Sequence, residues 1–321
     1  MTRLLAVWFI IAANPVMAGI TDLYKSLRGA EDVNVAFPVT LDRAERLTPL
    51  SVRVTWPSGD GPYPLVVFSQ GALCPKNMYV SVTDHWTSHG YVTIAPLHLD
   101  SESNGFSNQD LAGVDLVDER IIDMTIVLDS LDHIEGLVPG VAGKIDRSKI
   151  AVSGHSFGGQ IALVLTGLEM LNVQTNEPVD RSDDRFRVAV VLSGVGQLPN
   201  MAPNAFSRYD RPVYSSGGTK DLGATGRGPI HPWSWRMAAF FETPPGEKYG
   251  LVLDEGDHYY GGLICRETAG GRPDYQGLSI IRGTSTAFLD AYLKLDSNAR
   301  TFLESADVRA LTNNRASFER K

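Results

Sequence analysis

The sequence predicts an α/β protein with a mostly parallel, eight-stranded sheet that carries helices on both faces. Six runs rich in Val, Ile, Leu and Ala end near Gly, Ser or His, as buried parallel strands do. These runs are residues 64–71, 91–98, 149–156, 187–194, 211–218 and 248–256. Segments with helical periodicity separate most of the runs, and strands that alternate with helices form right-handed parallel crossovers. Two earlier runs alternate apolar and polar residues, which is typical of antiparallel strands.

In chain order, the two antiparallel strands come first, at 33–39 and 50–56, and the turn-rich segment 56–64 leads into the parallel strands. The predicted helices are residues 77–89, 115–134, 157–170, 232–242 and 278–295. In sheets of this kind, ligands bind beyond the carboxyl ends of the strands. We therefore expect the functional residues in the segments that follow the apolar runs.

Residues 1–18 have the pattern of a secretory signal peptide. Arg3 precedes the apolar stretch 4–13, and small residues lead to a cleavage site near Ala18–Gly19. The sequence therefore predicts a secreted or periplasmic protein whose residues 19–321 form a single domain. The apolar stretch is too short to span a bilayer, and no later one is longer, so no transmembrane anchor is expected.

Composition excludes some classes of function. The chain is 43% hydrophobic and 21% charged, which is ordinary for a globular protein, and its formal net charge is −8. An acidic protein is not expected to bind nucleic acid.

The segment GHSFG, residues 154–158, predicts a nucleophile at Ser156. The serine follows an apolar strand and precedes a helix, which is the strand–turn–helix setting of a nucleophile elbow. The turn is tight, so we expect a β-carbon at Gly154 or Gly158 to crowd the neighbouring strand or helix. A serine that merely caps the helix is the alternative.

A serine nucleophile needs a histidine base and a carboxylate that orients it, and with such an elbow the chain order is Ser, acid, His. Of the seven histidines, only His231 and His258 follow Ser156. His258 follows the last parallel strand and is the predicted base, whereas His231 lies at a helix start, where a structural role is favoured.

The predicted acid is Asp221, just beyond the strand 211–218. Asp254 and Asp257 are the competitors, but both lie within four residues of His258 on its own loop, which makes a contact with Nδ1 awkward. The oxyanion hole should use the N–H of the residue after the nucleophile, Phe157, and one N–H from the loop after the strand 64–71. In that loop Ala72 is the candidate donor, and Leu73 is the near alternative.

With Ser156, Asp221 and His258 in this order, the chain resembles the α/β-hydrolase superfamily over about residues 50–295. Within it, the chain is similar to platelet-activating-factor acetylhydrolases and to dienelactone-hydrolase-like and cutinase-like esterases. The motifs that carry the resemblance are FSQG at 68–71, HLDS at 98–101 and GHSFGG at 154–159.

The resemblance implies acyl transfer from an ester to water by a Ser-His-Asp triad, with neither a metal nor an organic cofactor. The chain departs from the acetylhydrolases in one respect, because residues 187–200 contain no Asp or Glu to serve as the triad acid. An acid after the next strand is the arrangement of the cutinase-like and dienelactone-like members. The resemblance therefore does not extend to phospholipid specificity.

Cys74 and Cys265 are the only cysteines. An even number in an exported chain invites a disulfide, but the sequence leaves open whether these two are bonded. Neither lies in a spacing typical of structural zinc sites.

Aromatic residues offer candidate substrate contacts. Phe106, Trp233 and Trp235, together with Leu73, are candidates to line an acyl or aromatic pocket, and packing in the core is the alternative for the aromatic ones. His98 and Asp100 are expected to hold the adjacent loop by hydrogen bonds.

The sequence thus favours an exported ester hydrolase that acts on short-chain or aromatic esters, either small molecules or polymers. Only a short segment follows the run 187–194, so no large lid is expected. A serine peptidase, a lipid or polyester hydrolase, and a non-catalytic binding protein of the same fold remain alternatives. A cysteine hydrolase is disfavoured because Cys74 does not lie on the elbow.

Overall fold

The computed structural model describes residues 22–43, 45–224, 229–267 and 271–321. The predicted signal peptide, residues 1–18, lies outside the described residues. None of the described helices is long and apolar enough to span a bilayer.

The described part of the chain contains one large sheet and two small hairpins. The strands are β1 Val33–Leu41, β2 Leu50–Pro57, β3 Tyr63–Ser69, β4 Val92–Pro96, β5 Ile145–His155, β6 Met170–Leu171, β7 Pro178–Val179, β8 Phe186–Leu192, β9 Val213–Gly218, β10 Gly223–Ala224, β11 Ile230–His231, β12 Lys248–Leu253 and β13 Ala316–Arg320. The large sheet has the order β1-β2-β4-β3-β5-β8-β9-β12-β13. The strands β6 and β7 form one hairpin, and β10 and β11 form the other.

The large sheet confirms the mostly parallel architecture. The six strands from β4 to β12 in the sheet order run parallel to one another. The strands β1 and β2 are antiparallel at one edge, as predicted. The described sheet has nine strands rather than the predicted eight, because β13 pairs antiparallel with β12 at the other edge. An edge strand has a single neighbour, and β13 buries fully only Ala316, so its sequence lacks the apolar run that marks the central strands.

The helices are more numerous than predicted, and four of the five predicted ones are shorter in the structure, whereas the last, Tyr275–Leu293, is one residue longer than predicted. The described helices are α1 Val80–Ser88, α2 Leu116–Asp129, α3 Leu131–Leu137, α4 Phe157–Val164, α5 Ala205–Arg208, α6 Ala238–Phe241, α7 Tyr275–Leu293, α8 Ser297–Ser305 and α9 Val308–Leu311. The helix predicted at 115–134 is divided at Ser130 into α2 and α3. The segment 193–212, between β8 and β9, contains only the four-residue helix α5.

The strand β3 illustrates why the central strands are apolar throughout. Leu65 and Val67 belong to a core on one face of the sheet, to which α2, α3 and α4 contribute. Val66 and Phe68 belong to a second core on the opposite face, to which α1 and α7 contribute. Successive side chains of a strand point to opposite faces, so both sets have to be apolar. Full burial of one such side chain contributes about 1.5–3 kcal/mol. The prediction of helices on both faces is confirmed.

Because the central strands are parallel, their carboxyl ends all point in the same direction, and the loops that follow them meet there. We call this end of the strands the carboxyl edge, as distinct from the outer strands β1 and β13. The loops after β9 and β12 are in close contact, since a Cβ added to Gly218 would lie 2.2 Å from the carbonyl oxygen of Gly256. This edge carries the candidate active site.

Candidate active site

Ser156 lies on the sharp turn between β5 and α4. Its backbone has φ 54° and ψ −117°, a conformation that L-residues rarely adopt. The Ser156 N–H donates a hydrogen bond to the carbonyl of Leu192, at the end of β8, over 3.0 Å. The neighbouring strand thus supports the turn that presents the serine at the carboxyl edge.

The glycines on either side of Ser156 have no room for a side chain. A Cβ at Gly154 would lie 2.1 Å from the carbonyl oxygen of Gly158, and one at Gly158 would lie 1.9 Å from that of Ser69. The predicted crowding is therefore confirmed, and the contact of Gly158 presses the elbow against the end of β3.

Gly158→Ala is expected to destabilise the protein by at least about 3 kcal/mol, because its methyl group would overlap backbone atoms that cannot move independently. The matched control is Gly136→Ala in α3, where a Cβ meets no described atom within 4 Å. This control should stabilise the protein by about 0.5–1 kcal/mol. Urea unfolding of both variants measures the difference. Equal unfolding midpoints would contradict the close packing of the elbow.

Asp221 and His258 come together in the structure. His258 Nδ1 lies 2.9 Å from Asp221 Oδ1, and Asp221 is only 1% exposed. Burial raises the pKa of the Asp221 carboxyl, but the charge and hydrogen bond of His258, together with Arg236 and Ser193, outweigh it and lower this pKa. The carboxylate is therefore ionised and available to hold the Nδ1–H of His258.

Asp257 and His231, which the sequence offered as alternatives to Asp221 and His258, form other contacts. The Asp257 carboxylate accepts the N–H groups of Tyr259 and Gly261 within its own loop, at 2.8 and 3.0 Å. His231 stacks on Trp235 with a centroid separation of 4.7 Å. Both residues therefore have structural contacts that account for them.

Two polar residues that lie against the Asp221 carboxylate were not predicted from the sequence. The Ser193 hydroxyl donates to Asp221 Oδ2 and lies 2.5 Å from His258 Nδ1. Arg236, which is 6% exposed, places Nε 3.3 Å from Asp221 Oδ1 and donates from Nη1 to the carbonyl of Gly194. Ser193 directly follows the apolar strand β8, as Ser156 directly follows β5, so the sequence pattern could have marked it. Arg236 lies in the 3-10 turn Trp233–Met237, where no sequence pattern marks it.

The N–H groups of the loop after β3 single out one candidate oxyanion donor. The Gly71 N–H donates to the hydroxyl of Tyr79 at 3.1 Å, and the Leu73 N–H donates to Asp100 Oδ2 at 3.2 Å. Among the described residues, the Ala72 N–H has no acceptor. The geometry therefore favours Ala72 over Leu73, whose side chain is 40% exposed.

The guanidinium of Arg120 forms hydrogen bonds with this loop and with Asp100. It donates to both carboxylate oxygens of Asp100, at 2.9 and 2.8 Å, and to the carbonyls of Gln70 and Gly71, at 2.5 and 3.1 Å. In a trans peptide the C=O and N–H point in opposite directions. Because the Gly71 carbonyl faces Arg120, the Ala72 N–H points away from this cation.

The His98 side chain was expected to hold the loop beside it, after β4, but its hydrogen bonds go to the end of β3 and to α2. Its Nε2 lies 2.8 Å from Ser69 Oγ and its Nδ1 lies 2.9 Å from Asp123 Oδ2, and all three residues are fully buried. This second Ser-His-Asp arrangement has no access to substrate. It ties the ends of β3 and β4 to α2.

Part of the chain is similar to a known protein family. A family model described as chlorophyllase matches residues 26–177. The chain has the α/β-hydrolase fold. The matched segment includes Ser156 and the loop after β3 but ends before Asp221 and His258.

Curated relatives of the chain carry two kinds of name. Chlorophyllase-2 of Arabidopsis thaliana is 28% identical over 198 residues, which are 59% of this chain and 56% of that protein. Platelet-activating factor acetylhydrolase of Canis lupus familiaris is 27% identical over 190 residues, which are 47% of this chain and 39% of that protein. The chain thus spans about half the length, or less, of these relatives. The predicted resemblance to serine esterases and acetylhydrolases is confirmed, whereas chlorophyllases were not among the families expected.

The two cysteines of the chain are bonded in the structure. Cys74 and Cys265 form a disulfide with a Cα–Cα separation of 4.8 Å across 191 residues of sequence. Among the described residues, the potential metal-ligand atoms of the two cysteines and His155 lie within 4.8 Å of one another, but the sulfurs bond to each other and both ring nitrogens have hydrogen-bond partners. This group therefore does not fit a metal ion in the bonded state.

Of the residues predicted to contact substrate, only the two tryptophans line a common cleft in the described structure. An open cleft of about 500 Å³ is lined by Pro232, Trp233, Ser234, Trp235, Phe241 and Glu242. Trp233 contacts Phe241 edge-on, and Trp235 directly precedes Arg236 at the acid. No described ring contact joins Phe106 to either tryptophan. The tryptophans thus remain candidates for substrate contact, and Phe106 lacks support.

Proposed function

We propose that this protein is an exported serine hydrolase that cleaves carboxylic esters, short-chain or aromatic, through an acyl-enzyme. The observation that carries the proposal is the hydrogen bond between the buried carboxylate of Asp221 and the ring of His258, at the edge where the elbow presents Ser156. Such a pair gives a serine its base and fixes the tautomer of that base. The pattern of residues 1–18 supports export.

In the proposed reaction, His258 removes the proton of Ser156, whose oxygen attacks the ester carbonyl. Asp221 holds the Nδ1–H of the imidazole and stabilises the imidazolium that forms. The N–H groups of Phe157 and Ala72 receive the oxyanion, and the first turn of α4 adds its dipole. The imidazolium protonates the departing alcohol, and a water activated by His258 then releases the acid.

The names of the relatives give the first substrates to consider. One group is named for chlorophyll and the other for the acetyl group of platelet-activating factor. The short segment between β8 and β9 leaves the site without a large cover, which favours soluble or surface-exposed esters over lipid droplets. The acetyl group in the second name is the shortest acyl group to test. We therefore infer a small acyl group as the preferred one.

Hydrolysis of p-nitrophenyl esters from acetyl to palmitoyl by residues 19–321 tests the proposal. We expect the highest kcat/KM at short chains and no release of p-nitroaniline from peptide anilides. A maximum at long chains would direct the function to lipids, and activity on anilides alone would indicate a peptidase. A folded protein that hydrolyses none of these compounds would contradict the proposal and favour a binding function.

A further inference from the structure

His155, the residue between Gly154 and Ser156, lies between two loops of the active site. Its side chain is fully buried. Its Nε2 lies 2.9 Å from the backbone carbonyl oxygen of His258, and its Nδ1 lies 2.8 Å from the hydroxyl of Tyr79. The imidazole thus contacts the loop of the predicted base on one side and a tyrosine that faces the loop after β3 on the other.

The hydrogen-bond partners of His155 determine which of its ring nitrogens carries the hydrogen. A carbonyl only accepts hydrogen bonds, so Nε2 must carry the hydrogen. Burial, and next the charge of His258, lowers the pKa of His155 well below its ordinary value, so the ring is neutral. Its Nδ1 is therefore an acceptor for the Tyr79 hydroxyl. Burial raises the pKa of Tyr79, which keeps this hydrogen in place.

The Tyr79 hydroxyl completes a continuous chain of hydrogen bonds. Its single hydrogen goes to His155, and its oxygen accepts the N–H of Gly71 at 3.1 Å. The chain therefore runs from Gly71 through Tyr79 and His155 to the carbonyl of His258. Gly71 precedes the candidate oxyanion donor Ala72.

We propose that His155 is a positioning residue that couples the loop of the oxyanion donor to the loop of the base. The coupling rests on the proposed function, because it acts through the Ala72 N–H and the His258 ring. Both groups act in the same transition state, the Ala72 N–H on the oxyanion and the His258 ring on the proton of Ser156, so their separation has to be held closely. A displacement of about 1 Å in a catalytic group can lower the rate about 100-fold.

The disulfide between Cys74 and Cys265 links the same two loops a second time. Cys74 lies three residues after Gly71, and Cys265 lies seven residues after His258. One connection is covalent and the other is the chain of hydrogen bonds through His155. When either connection is broken, the remaining one should preserve part of the geometry, so the two losses should not be additive.

Three variants test the coupling with the disulfide intact. His155→Leu removes both hydrogen bonds and should lower kcat about 10- to 100-fold with little change in KM, because it disturbs groups that act in the transition state. His155→Gln should restore most of the loss, since an amide can accept from Tyr79 and donate to the His258 carbonyl. Tyr79→Phe should lower kcat about tenfold, because it removes the hydroxyl that joins the Gly71 N–H to His155.

Tyr209→Phe is the matched control for the hydroxyl. Tyr209 is also fully buried, and its hydroxyl hydrogen-bonds Thr166 at 2.7 Å, in the core and away from the two loops. It should lose stability comparable to that lost by Tyr79→Phe and keep wild-type kcat. Equal kcat losses in the two tyrosine variants, or a His155→Gln variant as slow as His155→Leu, would overturn the proposal.

Reduction of the disulfide tests the second link. Reduced wild-type enzyme should keep kcat within about threefold, whereas reduced His155→Leu should lose about another tenfold, because neither link remains. If folded His155→Leu keeps wild-type kcat in both redox states, His155 does not position the site.

A readout that does not need turnover separates this proposal from the proposed function. Ring nitrogen NMR of wild-type protein should show His155 as the neutral Nε2–H tautomer from about pH 9 to about pH 5. A protein without esterase activity would refute the proposed function, and this spectrum would still report on the hydrogen-bond chain. A protonated ring or an Nδ1–H tautomer would overturn the chain itself.

Discussion

Ser156→Ala is expected to lower kcat for ester hydrolysis by about 10⁵- to 10⁶-fold, because alanine has no hydroxyl to form the acyl-enzyme. The residual rate should come from the oxyanion donors and from substrate binding alone. Among the described residues, none forms a hydrogen bond with the Ser156 hydroxyl, so its removal should leave the stability nearly unchanged. Turnover of p-nitrophenyl acetate and thermal unfolding measure the two effects.

Ser153→Ala is the control for this variant. Ser153 lies on β5, three residues before Ser156, is fully buried, and has no hydrogen-bond partner for its hydroxyl in the described structure. Removal of an unpaired buried hydroxyl should leave kcat unchanged and should not lower stability. Wild-type turnover by purified Ser156→Ala would show that another residue is the nucleophile.

Asp221→Asn is expected to lower kcat by about 10⁴-fold with the fold preserved. The carboxylate accepts on both oxygens, from Ser193 on Oδ2 and from His258 on Oδ1. An amide has one acceptor oxygen, so either Ser193 or His258 loses its acceptor and faces an N–H group instead. The orientation and tautomer of His258 are then no longer defined, and the base is lost although its ring is present.

Asp254→Asn is the matched control. Asp254 was the rival acid on the loop of His258, and its carboxylate is exposed, with Thr219 Oγ1 at 3.4 Å. It should keep wild-type kcat and KM. If Asp254→Asn loses as much activity as Asp221→Asn, the assignment of Asp221 as the triad acid is wrong.

The lowered pKa of Asp221 also sets the direction of its effect on stability. A carboxyl whose folded-state pKa lies below the unfolded value of about 3.9 stabilises the fold above that pH. This contribution is lost only as the pH falls through the folded-state pKa. Asp221 should therefore stay ionised, and keep holding His258, at every pH above about 4.

The sequence by itself determined the main architecture of this protein and the positions at which it carries its polar residues. Buried parallel strands are apolar on both faces, so the six central strands were marked by continuous runs, and the elbow was marked by glycines that the backbone requires. Ser156, Asp221 and His258 could be selected because each follows such a strand. The edge strand β13 was missed because it needs little apolar surface.

Only the tertiary structure decided which polar groups meet across the loops. The contacts of Ser193 and Arg236 with Asp221, the choice of Ala72 over Leu73 and the bond between Cys74 and Cys265 depend on loops that lie far apart in the chain. A local sequence pattern predicts whether a side chain is buried and which backbone conformation the residue can adopt. It does not record the partner of a hydrogen bond, because that partner is brought close by the packing of the whole sheet.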